Sequence, residues 1–177
     1  MCKDVRSEPA LLPVTGEVLP DGSNVADGAR ADISALGFWI PLSRAFFDVK
    51  VVNTLARTNW CHESAAMFKH HENLKKKAYA QRFLQIEKGS FSPIVLSCTG
   101  GAAPEAEAFM KRLALKLSEK KQERYSQHVS FLRRRFRFDI LRTCLISLRG
   151  ERKGRSNVDA AEADPIAELE VELTRME

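Results

Sequence analysis

Two apolar runs separated by a long helical segment constrain the fold of this chain more than any other feature. The runs are AFFDVKVV, residues 45–52, and SPIVLSC, residues 92–98, and both have the length and composition of buried strands. Between them, apolar residues recur at helical spacing from Ser64 to Lys88, and Gly89 follows as a plausible helix cap. Strands connected through a long helix run parallel, so the segment predicts a βαβ unit.

An antiparallel hairpin is predicted where this unit begins. The β-prone runs GARADISALGF (28–38) and RAFFDVKVVN (44–53) are joined by the short stretch WIPLS, and a connection of this length brings two strands side by side. Residues 1–27 contain three prolines and two glycines, so we expect them to be irregular apart from a short strand at residues 13–19.

Two further helices are expected in the C-terminal half. The stretch TGGAAPEAEAF turns into a helix with Pro104 in its first turn, and a last helix begins near Ser126 with its apolar residues on one side. The predicted order of elements is β, β, β, α, β, α, α. This order predicts an α/β fold built from a small mixed sheet with flanking helices.

Charge is distributed unevenly along the chain, whose net charge is +5. Residues 111–155 hold fifteen lysines or arginines and four acidic residues, whereas residues 158–177 hold seven acidic residues and one arginine. A basic body indicates a polyanionic partner, and we interpret the acidic end as a solvated appendage that could shield the basic face. The alternative is two charged, solvated surfaces without a partner.

These shifts of composition divide the chain into four predicted parts. They are an irregular N-terminal segment at 1–27, an α/β core at 28–118, a basic C-terminal helix at 119–155 and an acidic tail at 156–177.

The four cysteines are far apart, and no run is apolar enough for a membrane span or a signal peptide. We therefore expect an intracellular protein without a disulfide framework, a C-x-x-C zinc site or a membrane partner.

Two charges interrupt the strand AFFDVKVV. Alternation along a strand places Asp48 and Lys50 on one face, where charges two residues apart indicate that this face opens onto a cleft. In the predicted hairpin, Asp32 converges on Asp48. Two carboxylates suit Mg²⁺, which completes its octahedron with water and substrate phosphate, and the neighbouring lysine could position an attacking water. This cluster favours phosphodiester hydrolysis, and a plain salt-bridged strand at the sheet margin is the alternative.

These motifs resemble the PD-(D/E)xK superfamily, the restriction-endonuclease-like nucleases. The motifs are RADI (30–33), DVKV (48–51), KKAYAQR (76–82) and SFSPIVLSCTGG (90–101) followed by a helix. The resemblance covers about residues 14–118 and is closest to the endonuclease-like domains of retrotransposons and related mobile elements. It implies a restriction-endonuclease-like core.

The resemblance also implies roles for individual residues. Asp32 and Asp48, with the backbone carbonyl of Val49, would bind Mg²⁺ or Mn²⁺, and Lys50 would be the catalytic lysine. A residue of the following helix assists in some members, and that residue would be Gln81 or Tyr79 here. Many members add a glutamate from a first helix, for which Glu8 and Glu17 are the candidates.

Basic side chains of two helices are expected to contact the phosphate backbone of nucleic acid, with DNA favoured over RNA. They are Lys75, Lys76, Lys77, Arg82, Arg133, Arg134, Arg135 and Arg137. Because cutting both strands commonly requires two copies, a homodimer is one option. Charge and resemblance together indicate a nuclear location.

Two other candidate sites are less favoured. Cys61 and His62 with His70 and His71 match no standard zinc spacing. The Gly100-Gly101 pair before a helix could form an anion-binding nest, but a tight strand-to-helix turn is the preferred interpretation.

Three hypotheses of function follow. The first is a divalent-metal-dependent endonuclease related to mobile-element nucleases. The second is a nucleic-acid-binding or assembly module that keeps the fold but not the catalysis. The third is a structural protein whose acidic tail docks on its own basic face.

Overall fold

A computed structural model describes residues 3–26, 28–57 and 63–149 of this chain. By packing, the chain divides into two units, residues 1–145 and 146–177, and the sites considered below lie in the first. The elements in chain order are β1 Lys3–Ser7, β2 Ile33–Leu36, β3 Arg44–Val52, α1 Ser64–Gln85, β4 Ser90–Ser97, α2 Pro104–Lys121 and α3 Tyr125–Arg149. Within the described ranges, no helix is long and apolar enough to cross a membrane.

The four strands form one mixed sheet in the order β1-β2-β3-β4. Strand β2 pairs antiparallel with β3, with Ile33 opposite Phe47, and β3 pairs parallel with β4, with Asp48 opposite Pro93. The predicted hairpin and the predicted βαβ unit are therefore confirmed. The α/β class, the small mixed sheet and its flanking helices are confirmed as well.

The first strand lies elsewhere than predicted. Residues 13–19 form no strand, and the edge of the sheet is instead β1, which pairs antiparallel with β2. Strand β1 is mostly charged and has no apolar alternation, because an edge strand gains its hydrogen bonds from one neighbour and leaves its side chains in water. Residues 1–27 are otherwise irregular where described, as expected.

Helix α1 covers one face of the sheet, and α2 and α3 cover the other. On the α1 face, Phe46 packs with Phe83 in one apolar cluster, and Val52 packs with Met67 in another. On the opposite face, Phe47 packs with Ala106 of α2 and Ile140 of α3. Each large buried side chain contributes about 1.5–3 kcal/mol to the stability of these layers.

The last two helices begin close to their predicted starts. Pro104 is the first residue of α2, where its fixed φ and missing N–H are tolerated, and Glu105 and Glu107 lie in the positively polarised first turn. Helix α2 continues to Lys121 and so passes the expected core boundary at residue 118. Helix α3 is described to Arg149, and the predicted acidic tail lies outside the described residues.

Candidate functional site

Between α1 and β3, charged and polar side chains replace apolar ones in the middle of the interface. Alternate residues of β3 face α1, and on α1 the facing residues recur every fourth position, which is one stripe of a helix. Both ends of this interface are apolar. Its middle is a polar layer made of Asp48, Lys50, His71 and Lys75.

Asp48 lies under α1 rather than in an open cleft, so this part of the prediction is wrong. The residue is only 8% exposed. Its Oδ2 lies 2.6 Å from Nζ of Lys75, which provides the opposite charge that a buried carboxylate requires. Asp48 is therefore salt-bridged to a helix, a contact that the strand pattern alone did not predict.

Asp32 lies directly before β2 and is exposed. The register of β2 and β3 begins with Ile33 opposite Phe47, so Asp32 lies one residue before the paired part of the hairpin, beside Asp48. Its backbone N–H donates to the carbonyl of Phe47 at 3.1 Å, and its Oδ2 accepts the N–H of Val49 at 2.5 Å. The structure thus places Asp32 beside Asp48 at one end of the hairpin and fixes the Asp32 side chain against β3.

Glu8 follows β1 and reaches the same end of the hairpin through its backbone. Its N–H donates to the carbonyl of Asp32 at 2.8 Å, whereas its carboxylate is largely exposed and lies 3.7 Å from Nη1 of Arg30. Of the two candidates for an additional glutamate, Glu8 is therefore the residue next to Asp32 in the sheet. Glu17 accepts the N–H of Thr15 within the irregular segment.

Lys50 contacts His71 across the polar layer, with 3.3 Å between Nζ and Nδ1. Burial, the Lys50 ammonium and the neighbouring His70 together lower the pKa of His71. A neutral imidazole can accept a hydrogen bond from the ammonium, and this contact orients Nζ. Nε2 of His71 is buried and makes no hydrogen bond to any residue that the structure describes.

Glu72 is a buried acidic residue that the sequence analysis missed. It is 6% exposed, and its Oε1 accepts the N–H of Glu105 at 2.9 Å in the first turn of α2. Lys76 in turn lies 2.5 Å from Oε1 of Glu105. The only signal in the sequence is the position of Glu72 one turn after Phe68, on the side of α1 that faces the sheet and α2.

Arg82 does not lie on a nucleic-acid-binding surface, contrary to the prediction. It is fully buried, and its guanidinium donates to the backbone carbonyls of Leu12, Asn24 and Ala26 at 2.8–2.9 Å. These carbonyls belong to the irregular N-terminal segment and have no partners in the sheet. Arg82 therefore attaches that segment to α1 and has no accessible surface for a phosphate.

The two candidate assisting residues of α1 have different surroundings. The Tyr79 hydroxyl accepts a hydrogen bond from Nδ2 of Asn24 at 2.9 Å, and its ring centre lies 5.6 Å from Nζ of Lys75. Gln81 is exposed on another side of the helix, where its Oε1 accepts a hydrogen bond from Gln85. The structure therefore places Tyr79 one turn from the polar layer and does not bring Gln81 to it.

The other basic residues named above differ in how accessible they are. Lys75 and Lys76 are paired with Asp48 and Glu105, respectively. Lys77 is exposed on α1. The four predicted arginines of α3, Arg133, Arg134, Arg135 and Arg137, are all exposed, and Arg135 forms an ion pair with Asp139. A phosphate backbone could therefore reach Lys77 and these four arginines without disturbing the polar layer.

The Gly100-Gly101 pair forms the tight turn that was the preferred interpretation. The N–H of Gly100 donates to the carbonyl of Ser97, and the N–H of Gly101 donates to Oγ of Ser97 at 2.7 Å. Gly100 has φ of +87°, a conformation that favours glycine. Because both N–H groups are already bonded, this turn cannot serve as an anion-binding nest.

Asp32 and Asp48 provide hard oxygen ligands of the kind that Mg²⁺ binds, and one or two carboxylates are enough when water and phosphate complete the shell. Val49, whose carbonyl is the third predicted ligand, follows Asp48 in β3 and donates its N–H to Asp32. Within the described ranges, no three His, Cys, Asp or Glu residues are grouped to share an ion. Cys61 and His62 of the disfavoured zinc set lie outside these ranges.

Comparisons of this chain with protein-family models, with curated proteins and with solved structures found no match. The residues that carry a function must therefore be identified from the contacts of this chain itself.

Proposed function

We propose that this chain is a divalent-metal-dependent endonuclease that hydrolyses phosphodiester bonds in nucleic acid, with DNA favoured over RNA. One observation carries the proposal: Asp32 is held beside Asp48 by its contacts with Phe47 and Val49, and Lys50 follows Asp48 two residues along the same face of β3. Under this proposal the sheet and its helices form a restriction-endonuclease-like core related to mobile-element nucleases. A nuclear site of action and the pairing of two copies belong to the same proposal.

Asp32 and Asp48, with the Val49 carbonyl, would hold Mg²⁺ or Mn²⁺. When bound, such an ion polarises a phosphoryl oxygen and acidifies an attacking water. Lys75 keeps the nearly buried Asp48 carboxylate fixed by an ion pair of 2.6 Å, and the Val49 N–H keeps Asp32 fixed at 2.5 Å. Two carboxylates held in this way are preorganised, which is the property that a catalytic site requires.

Lys50 has the role of offsetting negative charge on the phosphate under attack. The Lys50 ammonium donates a hydrogen bond to Nδ1 of His71, and this contact limits the rotamers that the Lys50 side chain adopts. The candidates for holding the phosphate backbone on either side are Lys77, Arg133, Arg134, Arg135 and Arg137.

The test is cleavage of supercoiled plasmid in Mg²⁺ or Mn²⁺, with EDTA as the metal control. Asp32→Asn is the informative variant because Asp32 is exposed, so its loss leaves the buried Asp48–Lys75 pair intact. We expect nicking to fall by about 100-fold or more in Asp32→Asn and in Lys50→Ala. Asp21→Asn, an exposed acid in a turn, is the matched control and should nick at the wild-type rate. Equal nicking by Asp32→Asn and wild type would refute the site.

A second candidate, the catalytically inactive nucleic-acid-binding or assembly module, is favoured by one specific observation. The Asp48 carboxylate is already neutralised by Lys75 and is 8% exposed, as a structural ion pair would be. For this candidate, plasmid stays intact in every metal and binding is equal in wild type, Asp32→Asn and Lys50→Ala. Binding measured on the same samples therefore separates the two functions.

A further inference from the structure

A pocket of about 450 Å³ lies beside the turn that follows β4, and none of the polar layer lines it. Its walls come from α1, the turn between β4 and α2, and both C-terminal helices. The lining residues that matter below are Phe68, Gly100, Glu107, Arg133, Phe136 and Arg137. All of them lie within residues 1–145, so the pocket belongs to one packed unit.

The lining combines an apolar and aromatic floor with a basic rim. Phe68 and Phe136 are partly buried and supply the rings, while Arg133 and Arg137 are exposed at the edge. Both arginines lie on the same side of α3 because they are four positions apart in the helix. A site of this composition suits a ligand with one flat apolar part and one anionic part.

The glycine turn gives the pocket its shape. A Cβ atom at Gly100 would lie 3.1 Å from Cγ of Arg137. Because glycine has no Cβ atom, the aliphatic part of the Arg137 side chain can lie against the turn. A side chain at Gly101 would lie 3.3 Å from Cζ of Phe68. Because the N–H groups of both glycines are bonded within the turn, recognition of an anion falls to the two guanidinium groups.

We propose that this pocket binds one unpaired nucleotide of a nucleic-acid strand. The base lies on Phe68 and Phe136, and the adjoining phosphate is held by Arg133 and Arg137. Stacking on aromatic rings together with guanidinium contacts to phosphate is how proteins bind single strands without reading their sequence. The inference rests on the proposed function in one respect, which is that the ligand of this chain is nucleic acid.

Glu107 fixes the orientation of the nucleotide. Its carboxylate is half exposed, lies 4.0 Å from Nζ of Lys111 and lines the same pocket. A carboxylate repels phosphate but accepts hydrogen bonds from the amino groups of a base. The base edge therefore points toward α2, and the phosphate lies at the α3 rim.

The test is binding of fluorescent single-stranded oligonucleotides to the full chain in EDTA, so that no cleavage occurs. One oligonucleotide carries bases throughout, and a second of equal length has abasic sites and keeps only the backbone. Phe136→Leu removes the ring but keeps an apolar side chain in the core, and Arg137→Ala removes one guanidinium. We expect Phe136→Leu to weaken binding of the base-bearing strand by about 10-fold and to leave the abasic strand unchanged. Arg137→Ala should weaken both.

Two matched controls lie on the same helix outside the pocket. Phe131 and Arg142 are exposed on α3, and Phe131→Leu and Arg142→Ala remove the same groups. Each should change affinity less than 2-fold. Equal losses in Arg137→Ala and Arg142→Ala, or a Phe136→Leu loss that is the same for both strands, would overturn the proposal. Met110→Trp fills the pocket from α2 and keeps Phe136 in place. It should weaken binding of the base-bearing strand as Phe136→Leu does, which would show that the loss does not come from a folding defect of the Phe136 variant.

The source of the nucleotide is decided by competition. A free nucleoside monophosphate or inorganic phosphate should displace the strand only at more than about 100-fold excess over the oligonucleotide, because one site supplies a small part of the strand's affinity. Displacement by the mononucleotide at equal concentration would assign the pocket to free nucleotides and overturn the proposal. Plasmid nicking measures the Asp32 site separately, so failure of either proposal is recognised independently.

Discussion

At the scale of single residues, burial of charge decides which side chains are structural and which are free to act. Arg82 and Lys75 both point inward. Arg82 donates to the backbone carbonyl of Asn24, and Lys75 neutralises the Asp48 carboxylate, so each satisfies an acceptor that would otherwise lack this partner. Lys50 differs because its partner is the imidazole of His71 rather than a carboxylate. Its positive charge is therefore not cancelled, which leaves it available to a phosphate.

We predict that Arg82→Met destabilises the protein by about 3–5 kcal/mol, because three backbone carbonyls lose the guanidinium as a donor in a buried site, and the Ala26 carbonyl keeps the N–H of Ala29. Arg82→Lys should also destabilise it, since an ammonium cannot reproduce the planar arrangement of guanidinium donors. Urea unfolding followed by circular dichroism measures both changes. Gln81→Ala, the adjacent exposed position, should change stability by less than about 0.5 kcal/mol. Equal stabilities of Arg82→Met and wild type would contradict this role.

A second prediction concerns pH. Burial, Lys50 and His70 hold the pKa of His71 below its ordinary value of 6.5, so below that pH the unfolded chain takes up a proton that the folded chain resists. The free energy of unfolding should therefore fall as pH drops below 6.5. His71→Gln removes this titrating group and should flatten that part of the profile. Urea unfolding from pH 7.5 to 5.0 is the measurement, and parallel profiles for the two proteins would exclude the explanation.

At the scale of secondary-structure elements, α1 is organised by one repeated spacing. Its face toward the sheet has apolar residues at both ends and His71 and Lys75 between them, each opposite an alternate residue of β3. Apolar periodicity alone predicts where this helix lies. It does not predict that the middle of the helix face is polar, because each polar residue there depends on a partner distant in sequence.

We predict that Glu72 stabilises the start of α2. Its carboxylate accepts the N–H of Glu105 at the positive end of that helix, and Ala103, the residue before α2, provides no side-chain cap. Glu72→Ala should destabilise the protein by about 1–2 kcal/mol, and Glu72→Gln, which keeps the acceptor, should destabilise it less. Chemical denaturation measures both, and equal losses would show that the negative charge of Glu72 rather than its capping hydrogen bond is the cause. Glu119→Ala, an exposed acid near the other end of α2, is the control.

At the scale of the whole molecule, the order of elements after residue 28 was predictable and the N-terminal segment was not. Runs such as SPIVLSC and the stripe of α3 are local patterns, and the connection lengths between them determine the mixed sheet. Strand β1 carries no such pattern, because its pairing depends on the available edge of β2. The neighbouring positions of Asp32 and Asp48 follow from the predicted hairpin, whereas the coverage of Asp48 by Lys75 requires the packing of α1.

The acidic residues at 158–177 lower the net positive charge of the whole chain, and we predict that they weaken its binding to nucleic acid. Residues 158–177 carry seven acidic residues and one arginine, so a chain ending at residue 157 has a net charge of +11 in place of +5. Polyanion affinity and its dependence on salt both rise with positive charge. We expect the shortened chain to bind duplex DNA about 10-fold more tightly at 0.1 M salt, with the difference fading as salt screens it.

The measurement is a salt titration of binding with the full and shortened chains. A full-length control in which the seven acidic residues between 158 and 177 become Asn or Gln separates charge from chain length. This control should bind as tightly as the shortened chain, because the change in net charge is nearly the same while the chain length is preserved. Affinity that rises only on shortening would show that the segment acts by occupying space. Identical affinity in all three proteins would show that nucleic acid does not respond to the net charge of this chain.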